Sequence, residues 1–203
     1  MIRRSGHADP RARGRAQSLV EYAIIVPVFF LILLGMLELG IAFSHHLTME
    51  YATREGARAG AALAKGTDDY PCAVVDQQIV AAVQRVLTAS GSQVNLNEIQ
   101  SIRIYKSGSN GQELGPVNVW IRGSTPASGN VPAVGFQKSN PQSWNACSRK
   151  NDRSGGTGPD SIGVSFRYTY QYVTPLGALM GATGNPTIPM SDRTVMALNP
   201  TDQ

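Results

Sequence analysis

The chain has 203 residues, enough for one globular domain beside a membrane segment and hardly enough for two independent cores. Its 18 basic and 14 acidic residues leave a net charge of +4, and the whole excess lies in residues 1–16, where Arg3, Arg4, Arg11, Arg13 and Arg15 face Asp9 alone. The rest of the chain is balanced, so the high pI is no mark of a nucleic-acid-binding domain.

The basic leader, 1–16, precedes an apolar run, 17–43, in which Glu21 and Glu38 are the only residues expected to be charged. Tyr22 to Leu37 is an uncharged stretch of 16 residues. As a helix it measures about 24 Å, against about 30 Å for a bilayer core. Flanking turns close the gap if Glu21 and Glu38 reach outward to the two interfaces. Arginines before the run and few cations after it predict a cytoplasmic N-terminus and an extracytoplasmic C-terminal domain in a single-pass protein of the cell membrane. A cleaved secretory signal is an alternative, but the run is long for one and no small-x-small site follows it cleanly. A soluble core helix would need a polar face, and almost none is present. Pro27 removes one hydrogen bond inside the helix, which membrane helices tolerate.

The helix is expected to run on as a stalk over 44–66. Ala52, Gly56, Ala59 and Leu63 share one face, and Glu50 and Arg54 form an i,i+4 pair on another. The small face suits close packing, most simply onto the chain's own domain. "KGTDDYPC" breaks the helix, and a domain over 70–203 follows. Its helix carries a stripe of Val75, Ile79, Ala82, Val83 and Val86, with Asp76, Gln77, Gln84 and Arg85 facing away.

The period then changes to two. Strands are expected at 99–105, 116–123, 161–173 and 193–198. The third alternates most clearly: Ile162, Val164, Phe166, Tyr168, Tyr170 and Tyr172 share one face, opposite small or polar residues. Residues 123–160 read as a long Gly/Ser/Pro/Asn-rich insertion. The fold class is therefore α+β, with a long N-terminal transmembrane and stalk helix, a second helix and an antiparallel sheet of about four strands, pilin-like in outline. The two cysteines, Cys72 and Cys147, are expected to pair outside the cytoplasm, the alternative being two buried thiols. A bridge would pin the insertion to the start of the second helix.

"AQSLVEYA" (16–23), followed by an apolar helix with an early proline and the stalk "YATREGARAGAALAKG", resembles the N-terminus of the TadE-like family of tight-adherence (Flp) pilus systems. The resemblance implies a pseudopilin or minor pilin that serves pilus assembly or a related secretion machine. It implies processing by a prepilin peptidase between Ala16 and Gln17, although alanine stands where that family usually has glycine. Glu21 would then be the fifth residue of the mature chain and Tyr22 the aromatic after it. Glu21, Tyr22 and Pro27 would serve subunit assembly, with Glu21 meeting a cation, such as the new α-amino group of a neighbouring subunit. Glu21 also reads as an interfacial acid favoured by the positive end of the helix dipole. Glu38 reads as a marker of the far interface.

Little in the sequence carries catalytic chemistry. Its three histidines are His7, His45 and His46, in the leader and at the membrane exit, and none is expected to reach a site on the sheet. "SGGTGPD" and "GALMGATG" are glycine-rich but lack a P-loop lysine. Asp160 and Asp192 would make an acid–base pair only if the fold joined them. The sequence therefore implies no cofactor, no metal, no nucleic acid and no small-molecule substrate. It implies membrane lipid, other pilin-like subunits and the pilus assembly machinery as partners. A membrane-tethered binding or adhesion module is the alternative function, and a membrane-anchored enzyme the third.

Overall fold

The computed structural model describes residues 10–108, 110–139, 143–152, 158–179 and 187–199, with backbone only for 10–16. Arg3, Arg4, His7 and Asp9 lie outside the described residues, as do the side chains of Arg11, Arg13, Arg15 and Ala16 and parts of both glycine-rich loops. The chain divides into two units: Met1–Ile41 with Tyr172–Pro186, and Ala42–Gln171 with Thr187–Gln203. Helix α1, Pro10–Leu63, contributes to both.

In the first unit α1 begins on Pro10, where a missing amide is harmless. It continues through Pro27. Most of its large apolar side chains, from Leu19 through Phe30 to Leu39, are exposed, with Val26 and Leu34 half-buried. Only 6% of its most apolar 18-residue window is buried, so it is no core helix. The helix is long and apolar enough to cross a membrane. The unit also holds the short helix α3, Leu176–Leu179.

The second unit is a five-stranded, wholly antiparallel sheet with helices on one face. The strands are β1 Ile99–Ser107, β2 Glu113–Thr125, β3 Val134–Ser139, β4 Ser161–Gln171 and β5 Thr187–Ala197. Their order is β3-β2-β1-β4-β5. The registers Ile102↔Phe166 and Ile102↔Trp120 put Ile102, Ile104, Trp120, Ile162, Val164, Phe166, Tyr168 and Tyr170 in one buried layer. Helix α2, Val75–Leu87, and the 42–63 part of α1 cover that layer. Small residues on α1 make the fit. A Cβ on Gly56 would stand 2.6 Å from Val83 Cγ2, and one on Gly60 would stand 2.6 Å from Ile162 Cδ1. Thr53 Oγ1 adds a hydrogen bond to Asp192 Oδ2 at 2.7 Å, tying α1 to β5.

The α+β class, the long helix, the second helix and the antiparallel sheet are as expected, but there are five strands and not about four. The extra one, β3, lies in the stretch read as a structureless insertion. It is a six-residue edge strand with Phe136 as its one large apolar residue, and it forms only because β2 offers a ladder to pair with. β5 also starts at Thr187, six residues before the expected strand.

The outward face assigned to α2 needs a second correction. Asp76 and Gln77 are buried and Gln84 is half-buried. Gln77 Nε2 donates to the carbonyls of Pro126 (2.8 Å) and Pro132 (3.1 Å), and Gln84 Oε1 accepts from Gly135 N at 2.7 Å. The supposed wet face of α2 is the one that Pro126, Pro132 and Gly135 of the insertion pack against.

Candidate functional site

In the first unit the site is the helix surface. Glu21 and Tyr22 are exposed, Tyr22 by 69%. One helical turn links Gln17 Nε2 to Glu21 Oε1 at 3.0 Å, and the carboxylate has capacity for further donors. Because α1 begins at Pro10, Glu21 lies three turns inside the helix. The dipole acts only within the first turn, so it does not stabilise Glu21 in the uncut chain. A cut after Ala16 would move the helix start to Glu21's own turn and leave a new amine there.

Glu38 departs from the expected interfacial marker. It is 3% exposed, and its carboxylate accepts from Val173 N at 3.1 Å and Thr174 N at 2.8 Å. Two charge-assisted bonds to backbone amides replace the water an acid would otherwise need. The partners lie 135 and 136 positions away, beyond the reach of pattern reading.

His45 also needs correction, because it does reach the sheet. It is buried in the second unit, with Nδ1 2.7 Å from the Tyr168 hydroxyl and its ring edge-on to Tyr170. Tyr168 gives its proton to Glu98 Oε2 at 2.6 Å, so its oxygen accepts from His45 and the imidazole proton belongs on Nδ1. Burial, then the bond to Glu98, raises the Tyr168 hydroxyl well above the ordinary tyrosine value. The arrangement keeps a neutral tyrosine between a histidine and an acid, and it ties α1 to β4. His46 is exposed.

Asp160 and Asp192 are not brought together. Asp160 pairs with Lys106 Nζ at 2.7 Å, whereas Asp192 accepts from Thr53 opposite Phe166. Six residues of strand separate the two positions, about 20 Å.

Cys72 and Cys147 form a disulfide with Cα atoms 5.1 Å apart. Beside it sits a polar cluster that the sequence reading missed. Arg149 and Asp76 form a buried ion pair. The Arg149 guanidinium lies 4.4 Å over the Trp144 ring. Asn118 Nδ2 donates to Asp76 Oδ2 and to the Trp144 carbonyl, both at 2.6 Å, and Asn118 Oδ1 accepts from Trp144 N at 2.9 Å. One signal was available: Asp76 is one helical turn after Cys72, and Arg149 is two residues after Cys147. A bridge between the cysteines therefore carries the two charges towards each other.

The sheet's outer face holds an open concavity of about 450 Å³, lined by Arg103, Arg167 and Arg193, the acids Glu113 and Asp192, and Ser165, Phe166 and Ser191. Glu113 binds Arg103 there at 2.5 Å.

With this geometry in place, comparison with known families gives one match. Residues 16–58 match the family model described as TadE-like protein. The matched segment opens at the expected processing site and spans the apolar helix and the first two residues of the small face, Ala52 and Gly56. Comparisons with curated proteins and with solved structures gave no significant match.

Proposed function

We propose that the chain is a single-pass, Tad pilus-associated envelope protein that acts as a pseudopilin or minor pilin. The arginine-rich leader stays in the cytoplasm and the sheet-bearing unit lies outside. A prepilin peptidase cuts between Ala16 and Gln17. The apolar helix then packs beside the helices of other pilin-like subunits, where Glu21 pairs with a cation and fixes their axial register. Tyr22 and Pro27 shape the same surface. The observation that supports this reading is the exposure of nearly every large side chain from Leu19 to Leu39 in the segment matching the TadE-like family.

Intact-mass measurement of protein from its native host gives the mature N-terminus, expected at Gln17. Glu21→Ala is expected to abolish assembly while leaving membrane insertion unchanged. A chain that keeps its leader and assembles normally as Glu21→Ala ends this reading. The arginine-lined concavity favours a second reading, a membrane-tethered module that binds anionic material. That reading predicts normal assembly but lost binding when Arg167 and Arg193 are replaced.

A further inference from the structure

Glu38 fixes the depth of a second segment. The next polar cluster along α1, Ser44, His45 and His46, begins six residues later, with Leu39, Ile41 and Phe43 between. Glu38 therefore lies about 9 Å short of that cluster along the helix axis. A carboxylate at such depth must be covered, and the amides of Val173 and Thr174 cover it. This contact holds the start of the β4–β5 connection against the apolar helix, within the same unit.

The connection has the composition of a lipid-facing segment. From Tyr172 to Pro186 no residue carries a charge. Val173 is 66% and Leu179 is 64% exposed, while Gly177 faces inward. Part of its backbone is satisfied internally: Leu179 N donates to Pro175 O at 3.2 Å, and Leu176 N to Thr174 Oγ1 at 3.4 Å. That internal pairing lowers the cost of placing the segment among acyl chains. Tyr172 supplies an aromatic of the kind found at headgroup level.

We propose that residues 172–179, the start of the β4–β5 connection, are a second membrane contact, seated in the leaflet nearest residue 43 with Val173 and Leu179 among the upper acyl chains. Lipid is the occupant because the Glu38 contacts hold Val173 and Thr174 at the level of the apolar helix, where Leu37 and Leu39 are exposed as Val173 and Leu179 are, and because the segment carries no charge. The inference rests on the membrane-anchor reading. It adds a footing that holds the chain to the bilayer surface as well as through it.

The test uses full-length protein in phosphatidylcholine vesicles whose acyl chains are brominated near the glycerol end. The native Trp120 and Trp144 are buried in the second unit and set the background. The variants are V173W, L179W and, as a control on the exposed sheet face, R167W. Flotation of the wild type is read first, and a chain that fails to float overturns the membrane reading itself. In a floating chain, V173W and L179W are expected to show blue-shifted emission and to lose their added fluorescence to bromine, while R167W does not. Water-like, unquenched emission at 173 and 179 overturns this inference alone. Blue-shifted, unquenched emission that follows protein density also overturns it, because a neighbouring subunit is then the occupant.

Discussion

Two stretches of one helix invert the usual rule of burial. Along residues 19–39 of α1 the large side chains of leucine, isoleucine and phenylalanine are exposed, whereas along 49–64 alanine and glycine are buried. The first stretch is selected for what surrounds it and the second for how closely its own domain can approach. An exposed leucine is ordinary when isolated, but a continuous sleeve of them specifies an apolar solvent or a partner. The two acids repeat the contrast. Glu21 stands exposed with a single-turn neighbour, and Glu38 is sealed by backbone amides from a distant loop.

Substitutions can sharpen or break this contrast, and we rank them by expected effect. The packed unit should be most sensitive where charge is buried. Asp76→Ala leaves Arg149 without its counter-ion and is expected to destabilise that unit by about 3–5 kcal/mol, measured by urea unfolding in detergent. Cys147→Ser opens a loop spanning 75 positions and is expected to cost about 2–4 kcal/mol in the same assay. Gly56→Ala drives a methyl group into Val83 and is expected to cost about 1–3 kcal/mol.

Tyr168 gives a pH signature. Its folded-state pKa is raised, so its stabilising contribution is complete below the ordinary tyrosine value, about 10, and is lost as pH rises above it. Tyr168→Phe should flatten the alkaline limb of a melting-temperature profile. At the bottom of the scale, Phe30→Ala in the exposed stretch should change unfolding of the sheet unit by less than about 0.5 kcal/mol. If it destabilises that unit as Gly56→Ala does, the contrast between the two stretches is wrong.

The same contrast explains what could be read without a structure. The apolar stretch, the small face at Ala52 and Gly56, the alternation from Ile162 to Tyr170 and the pairing of two cysteines all depend on local pattern or simple counting. They are visible in the sequence for that reason. What escaped depends on partners far along the chain: Glu38 with residues 173 and 174, His45 with Tyr168, Asp76 with Arg149, and β3 on β2. In each case the partner lies too far along the chain for a local pattern to name it. The lesson for α2 is specific. A helix of 13 residues beside a long insertion needed both faces accounted for, and the glutamines and aspartate on its second face were that insertion's anchors.

The clasp between Cys72 and Cys147 also governs how the chain answers mechanical load. The ring it closes contains α2 and the contiguous block β1, β2 and β3, while β4 and β5 lie outside it. Tension applied at the two chain ends cannot draw out the span between the cysteines, which withholds about 250 Å of extended chain. In the appendage role proposed above, pulled by flow or by a tethered cell, the span inside the ring is spared extension, and β4 and β5 are the strands left to bear the strain.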